Sequence, residues 1–288
     1  MATVGPTNEG RDRDVAAAGT RAPSPRGPLA LLAATHPGPA LAVTAVAGLL
    51  AAAEQAPPDR VALVAAAVLA GQLSIGWSND LLDLARDRQV GRLDKPLATG
   101  AVDARSVRVA CAVAVLLVVP LSLACGVAAG LVHLGCVACG WAYNLGLKAT
   151  AWSWLPYALA FGGLPVFVSL AAGVQPAWWA AAAGALLGVG AHLVNTLPDL
   201  ADDRATGVLG LPHRIGAGPT RVLAVAVLLA ASVLLATAAP DLRTAGRVVV
   251  LAAAALLSLV ALRSQGRRPF QAVVLLAVVD VVALVVGR

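Results

Sequence analysis

Charge is scarce in this chain. Only 12% of its 288 residues are charged against 59% hydrophobic, and just two of its 21 basic residues are lysine. That scarcity excludes an ordinary water-soluble globule and places the chain in a membrane. The stretch 106–147 has no acidic residue and Arg108 as its sole base. The apolar runs are continuous rather than alternating, which excludes a β-barrel. Residues 1–27 lack the apolar region of a signal peptide and are expected to form a disordered cytoplasmic tail. No basic stripe interleaves with exposed aromatics, so nucleic acid is not a partner. The four cysteines, Cys111, Cys125, Cys136 and Cys139, all lie in apolar runs. Cys136-x-x-Cys139 has no second Cys or His pair beside it, so these are packing residues rather than a metal or redox motif.

Nine apolar runs remain, at 28–53, 61–79, 106–124, 126–147, 153–173, 177–197, 219–239, 245–262 and 270–287. They predict an all-α membrane protein of about nine transmembrane helices, with residues 28–288 as its one membrane domain. Placing the N-terminus inside puts 17 basic residues on the cytoplasmic side and 4 opposite, a strong positive-inside bias. Abundant Ala, Gly and Val with Arg in place of Lys points to a GC-rich bacterial genome, hence a bacterial cell membrane. Net charge +6 therefore reflects topology, with some bases facing anionic lipid heads.

The few carboxylates are concentrated, and their pattern occurs twice. Residues 79–100 and 195–216, 116 positions apart, share 11 of 22 residues. Asn79, Asp83, Asp87, Arg88, Gly91, Pro96 and Gly100 recur as Asn195, Asp199, Asp203, Arg204, Gly207, Pro212 and Gly216. Four spans separate the copies, so both face the cytoplasm. Residues four apart share a helix face, which makes Asn79–Asp83–Asp87 one stripe, with Asp80 beside it, and Asn195–Asp199–Asp203 another. Each stripe is expected to begin at the end of an apolar helix and run on into a loop. In two internally related halves that face each other, the stripes converge.

Converging carboxylates repel unless cations neutralise them. Carboxylate, amide and water are hard oxygen ligands that suit Mg²⁺ or Mn²⁺; the absence of Cys and His from the acidic stretches 79–88 and 195–204 argues against zinc. Mg²⁺ typically shares its shell with substrate phosphates, so two such stripes can clamp a diphosphate. Arg88, Arg92, Lys95, Arg204 and Arg214 stand nearby to complement its charge. At a lipid boundary the fitting substrate is an amphiphile with a diphosphate head and a hydrocarbon tail, such as a polyprenyl diphosphate. Metal would stabilise the departing diphosphate, and an apolar cavity would keep water from the allylic cation.

These motifs resemble those of the UbiA superfamily of intramembrane prenyltransferases. Asn79-Asp80-x-x-Asp83-x-x-x-Asp87 matches its first signature, and Lys95-Pro96-Leu97-Ala98-Thr99-Gly100 the element that follows. Asp199-x-x-x-Asp203 matches the second signature, and its continuation to Gly216 is similar to the menaquinone-type branch. The region from Tyr143 through Lys148 to Pro165 is similar as well. The resemblance implies a helix bundle around a central cavity and Mg²⁺-dependent transfer of a prenyl group to an acceptor, often an aromatic quinone precursor. It implies that Asp83, Asp87, Asp199 and Asp203 hold the metals, with Asn79 and Asp80 assisting, and that Arg92, Lys148 and Tyr143 contact diphosphate or acceptor. Gly210 stands where menaquinone-type members often carry Thr, which leaves the acceptor open. A terpene cyclase, a non-aromatic acceptor and, in another class, a divalent-cation transporter using the same carboxylates are the alternatives.

Some single residues carry expectations too. Asp280, deep in the last span, is either a functional group or a hydrogen-bonded structural carboxyl. His192 lies one turn before Asn195 and is a candidate support for the site. His36 and Pro37 mark a kink or a cavity mouth. Trp77, Trp141 and Tyr157 are candidates to line the cavity, and most of the tryptophans suit an interfacial belt.

Overall fold

A computed structural model of the chain describes residues 27–198, 200–205, 207–264 and 268–287. The expected tail, apart from Gly27, lies outside the described residues, and so does Asp199. Among the described residues all regular structure is helical. The order is α1 (Pro28–Ala33), α2 (Pro37–Ala53), α3 (Pro58–Gln89), α4 (Ala104–Ala124), α5 (Val127–Leu145), a 3-10 turn (Leu147–Ala149), α6 (Leu155–Ala171), α7 (Trp178–Thr196), α8 (Leu200–Ala205), α9 (Leu211–Ile215), α10 (Ala217–Ala238), α11 (Thr244–Arg263) and α12 (Arg268–Val286). Six of these, α3, α4, α5, α10, α11 and α12, are long and apolar enough to cross a membrane, and α2 and α6 are shorter apolar helices.

Local chemistry sets the helix starts. Pro28, Pro37, Pro58, Pro156 and Pro212 occupy first-turn positions, where the missing N–H costs nothing and the fixed φ suits a helix. Asp103 caps α4, its carboxylate accepting from Ser106 N at 2.9 Å, and that bond with a second from the Ser106 hydroxyl holds the Asp103 carboxyl below the usual range. Helices α5, α6 and α7 pack in sequence, α3 packs on α2 and α4, and α10 joins α7 to α11 and α12. Gly184 and Gly188 let α7 press directly onto the backbone of α6 at Phe161 and Tyr157. The main core runs between these helices through Leu50, Val64, Phe167, Leu193, Leu228 and Leu276, all fully buried.

Two boundaries differ from the sequence expectation. The first apolar run is divided at Thr35 and His36, because Pro37 starts a new helix and His36 adopts a left-handed conformation at φ 55°. The second run does not stop near residue 79. α3 continues through the whole first acidic segment to Gln89, since Leu81, Leu82, Leu84 and Ala85 propagate a helix and no breaker appears before Gly91. The second copy behaves differently. α7 ends at Thr196 and α8 starts afresh at Leu200, because Pro198 has no N–H for the preceding turn.

The two copies nevertheless stop in the same way. Arg92 N bonds Asp87 O at 2.9 Å, and Val208 N bonds Asp203 O at 2.9 Å. Gly91 N bonds Arg88 O and Gly207 N bonds Arg204 O, both at 3.3 Å, with φ +69° and +80° at the glycines. This is one Schellman stop written twice in register, and it needs glycine at the left-handed position.

Candidate active site

Asp80, Asp83 and Asp87 of the first copy are buried on α3 and met by Arg86 of the same helix and by basic side chains from three other places in the chain. Asp83 receives Lys148 Nζ at 2.5 and 2.7 Å, Arg86 at 2.9 Å and the Asn79 amide at 3.1 Å. Asp80 receives Lys95 at 2.6 Å. His36 Nε2 lies 3.1 Å from Asp80 and 2.7 Å from Lys95, so the placement of its ring proton decides which of the two it bonds. Asp87 is buried, with Arg86 Nε at 3.8 Å. Asn79 also donates to Asn144 Oδ1 at 3.3 Å, and Asn144 donates to Ile75 O and Ser78 Oγ, which fixes the amide against α3. The left-handed corner at His36 is what turns its ring back onto Asp80.

The remaining bases of this copy lie at the end of α3 and in the loop that follows it. Arg92 bonds Asp94 through both Nε and Nη2 at 2.8 Å, and that hydrogen-bonded guanidinium holds the Asp94 carboxyl down at about 2. Arg88 is exposed.

In the second copy Asp203 is only part buried, 3.2 Å from His213 Nε2. Arg204 donates to the His213 carbonyl at 2.6 Å, and Arg214 Nε donates to Leu209 O at 2.9 Å. These bonds fold α8 against α9. Asp199, the other carboxylate expected here, lies outside the described residues.

A short bridge ties the copies together. Ser153 Oγ accepts Leu211 N at 2.9 Å and pairs with His192 Nε2 at 3.0 Å. A Cβ on Gly210 would lie 2.6 Å from the carbonyl of Lys148 and 2.9 Å from Ser153 Oγ. Gly210 is therefore the residue that lets the tail of copy two rest on the backbone of the lysine that holds Asp83. This packing accounts for glycine where Thr is common in the branch that the sequence resembles.

One cavity of about 440 Å³ is lined by Asn79 and Asn195, one residue from each copy, together with Tyr143, Asn144, Tyr157 and Phe161. Tyr143 sits close enough to feel the charge of both Asp83 and Asp203. It meets Tyr157 edge-on at 5.2 Å and His192 at 5.8 Å, and Phe161 stacks on Tyr157 at 6.1 Å. The volume suits a small-molecule ligand. Asn79 and Asn195 at the cavity wall, buried carboxylates on the same helix as Asn79, aromatic rings and an apolar interior can together hold an anionic head by cations while shielding an apolar tail.

Of the aromatic candidates, Tyr157 lines the cavity, whereas Trp77 turns away to donate to Leu31 O at 3.0 Å and Trp141 donates to Ser74 Oγ at 3.2 Å. His192 supports the rings from behind, and His36 does line the mouth. Trp152 and Trp178 are exposed at opposite ends of the bundle, as an interfacial belt requires. Cys136 lines the cavity wall against Gly163, and all four cysteines are free. Asp280 is fully buried and accepts from Ser232 Oγ at 2.6 Å, away from the cavity. The sequence reading missed His213 and Ser153 as contributors, and it placed no imidazole beside the carboxylates. His36 and His213 both reach them, the first from 44 residues away.

Among the described residues no three carboxylate, imidazole or thiol groups form a ready metal cage. The donor set still fits a hard cation. It consists of carboxylate and amide oxygens, and Asp80 keeps one buried oxygen, Oδ2, without a partner.

The UbiA prenyltransferase family matches residues 40–279. No curated protein matches the chain by sequence. Several solved structures share its fold. A UbiA homologue from Archaeoglobus fulgidus, bound to GPP and Mg²⁺, is 15% identical with a TM-score of 0.68, over 90% of this chain and 100% of that one. A digeranylgeranylglyceryl phosphate synthase is 16% identical with a TM-score of 0.66, over 90% and 97%. A homologue from Aeropyrum pernix K1 without ligand is 18% identical with a TM-score of 0.66, over 90% and 97%.

Proposed function

The chain belongs to the UbiA prenyltransferase family, and from that premise we propose that it transfers a prenyl group from a polyprenyl diphosphate to a hydrophobic acceptor inside the membrane. The observation that carries this reading is the shared cavity. Asn79 and Asn195, matched members of the two acidic copies, line the same mouth, above an interior walled by Tyr143, Tyr157 and Phe161. The likeness to a homologue bound to GPP and Mg²⁺ supports the same substrate class.

On this reading Asp83, Asp87, Asp199 and Asp203 hold Mg²⁺, with Asn79 and Asp80 assisting. The bound Mg²⁺ supplies positive charge to the departing diphosphate. Lys148 and Arg86 neutralise Asp83 in the empty site and turn to phosphate oxygens when it fills, so the cavity mouth never exposes bare like charges. The C–O bond of the allylic diphosphate breaks, and its electron pair leaves with diphosphate. The allylic carbon then takes electrons from the acceptor, which afterwards loses a proton. Tyr143, Tyr157 and Phe161 keep water off the cation and present ring faces to it. Arg88, Arg92, Lys95, Arg204 and Arg214 accompany the two acidic stripes in sequence and are assigned to complement the charge of the diphosphate.

The acceptor is read as an aromatic quinone precursor, and the setting as a bacterial cell membrane with the acidic copies on the cytoplasmic side. Nine spans in two related halves complete the architecture; the twin Schellman stops support the duplication. Because aromatic rings line the cavity, the runner-up is a cyclase that quenches its own cation, and a released cyclic hydrocarbon without acceptor would identify it.

The test is turnover in membranes with Mg²⁺, polyprenyl diphosphates and a panel of quinone precursors. Prenylated product that disappears in Asp83→Ala supports the reading. Turnover unchanged in that variant defeats it, as does metal flux through liposomes that needs no prenyl substrate.

A further inference from the structure

Three helices measure the depth of the cavity. Its lining residues run from Asn79 to Val68 on α3, from Tyr143 to His133 on α5 and from Pro156 to Leu164 on α6. At 1.5 Å of rise per residue these are depths of about 16, 15 and 12 Å. The three agree on a floor made by Val68, His133 and Leu164.

That floor is rigid. The His133 ring stacks on Phe167 with centroids 4.6 Å apart and planes 25° apart, and its Nδ1 lies 2.7 Å from Ser122 Oγ. The Ser122 hydroxyl donates to Val118 O at 2.5 Å, so Oγ accepts the proton of Nδ1 and the ring is pinned in one orientation. On the third side the imidazole edge would lie at ordinary contact, 3.5 Å, from a Cβ placed on Gly71, whose missing side chain makes room for Val137 beside it, 2.8 Å from that position. Beneath it Phe167 and Val64 are fully buried, so there is no onward channel along the bundle axis at this point.

Resting on the prenyl-diphosphate reading above, we propose that the His133–Phe167 stack, held by Ser122, is the stop that sets the length of the prenyl tail. Each isoprene unit advances the chain by four carbon–carbon bonds of about 1.5 Å, or roughly 5 Å in projection. With the diphosphate at the level of Asn79, the floor is reached after about three units. The preferred donor is then a fifteen-carbon diphosphate, and a twenty-carbon tail meets the imidazole. Removing the ring opens a space of about one further unit. Filling the wall higher up, at Ala160, removes one.

The experiment uses the full-length protein in detergent with Mg²⁺ and unreactive thiolodiphosphate analogues of ten, fifteen, twenty and forty carbons. Competition binding reads affinity without relying on turnover. In the unaltered protein the fifteen-carbon analogue binds at least tenfold more tightly than the twenty-carbon one. In His133→Ala that ratio falls toward one, and in Ala160→Leu the preference moves to ten carbons. The opposite directions of the two variants separate a change of cavity length from general damage. Equal affinity for all lengths in the unaltered protein overturns the stop, and so does a profile that neither variant moves. Absence of saturable binding at every length overturns the prenyl-diphosphate reading itself, and this inference with it.

Discussion

The two acidic segments descend from one pattern yet stand in different states. On α3 the first copy is continuous and buried, and its carboxylates are compensated by Lys148, Arg86 and Lys95. The second copy is cut from α7 at Pro198. Its Asp203 side chain keeps 21% exposure and lies 3.2 Å from His213 Nε2. A single proline in one copy and a leucine at the matching position of the other thus separate a pre-assembled half-site from an open one. The bridge through Gly210, Ser153 and Lys148 makes the two halves one site.

The comparison breaks first on stability and activity together. Asp83→Ala should lower turnover on the order of 10³-fold, as loss of a principal charge-stabilising group does. It should also destabilise the protein by about 3–5 kcal/mol, because Lys148 is left buried without its partner. Asp203→Ala should match it in lost turnover at a smaller cost, about 1–2 kcal/mol, because the Asp203 side chain keeps part of its contact with solvent. Thermal unfolding in detergent beside a product assay reads both; equal stability losses for the two variants would erase the contrast between the copies.

A chelator sharpens the same contrast. EDTA should abolish turnover, while Tm without substrate falls by less than about 3 °C, because lysine and arginine already neutralise Asp83 in the metal-free protein. A large collapse of Tm would mean that metal, not Lys148, holds the first copy together.

The bridge is tested at Gly210. A Cβ there would lie 2.6 Å from the Lys148 carbonyl, so Gly210→Thr should cost about 1–3 kcal/mol and weaken diphosphate binding. Unchanged binding and stability would show that the copies act without this contact. The smallest effect is expected at His36, whose φ is 55°. His36→Asn tolerates that conformation, whereas His36→Val should be about 1–2 kcal/mol less stable than His36→Asn; equal melting temperatures would show that the corner relaxes freely.

Much of the site was legible in the sequence because it obeys short-range rules. A four-residue Asp spacing marks a helix face, and the in-register Gly91 and Gly207 mark equivalent stops. The broken second copy was also readable, since Pro198 lies inside it, but the expectation treated both stripes as alike and placed the end of α3 ten residues early. Lys148 entered only through a family resemblance, because no local spacing connects it with Asp83, 65 residues away. His36, Ser153 and His213 were harder still. Each is a common polar residue whose meaning comes from a backbone corner or a helix packing that exists only after folding. Arg92, expected to meet phosphate, is bound twice to Asp94, a two-residue contact that composition does not distinguish from a free base.

The central claim is that both copies grip one diphosphate, and Mn²⁺ binding measured by EPR tests it directly. With an unreactive fifteen-carbon thiolodiphosphate present, Asp83→Asn and Asp203→Asn should each weaken Mn²⁺ binding at least tenfold, and the double variant should be little worse than either alone. Undiminished Mn²⁺ and analogue binding in Asp203→Asn, with loss confined to Asp83→Asn, would contradict it.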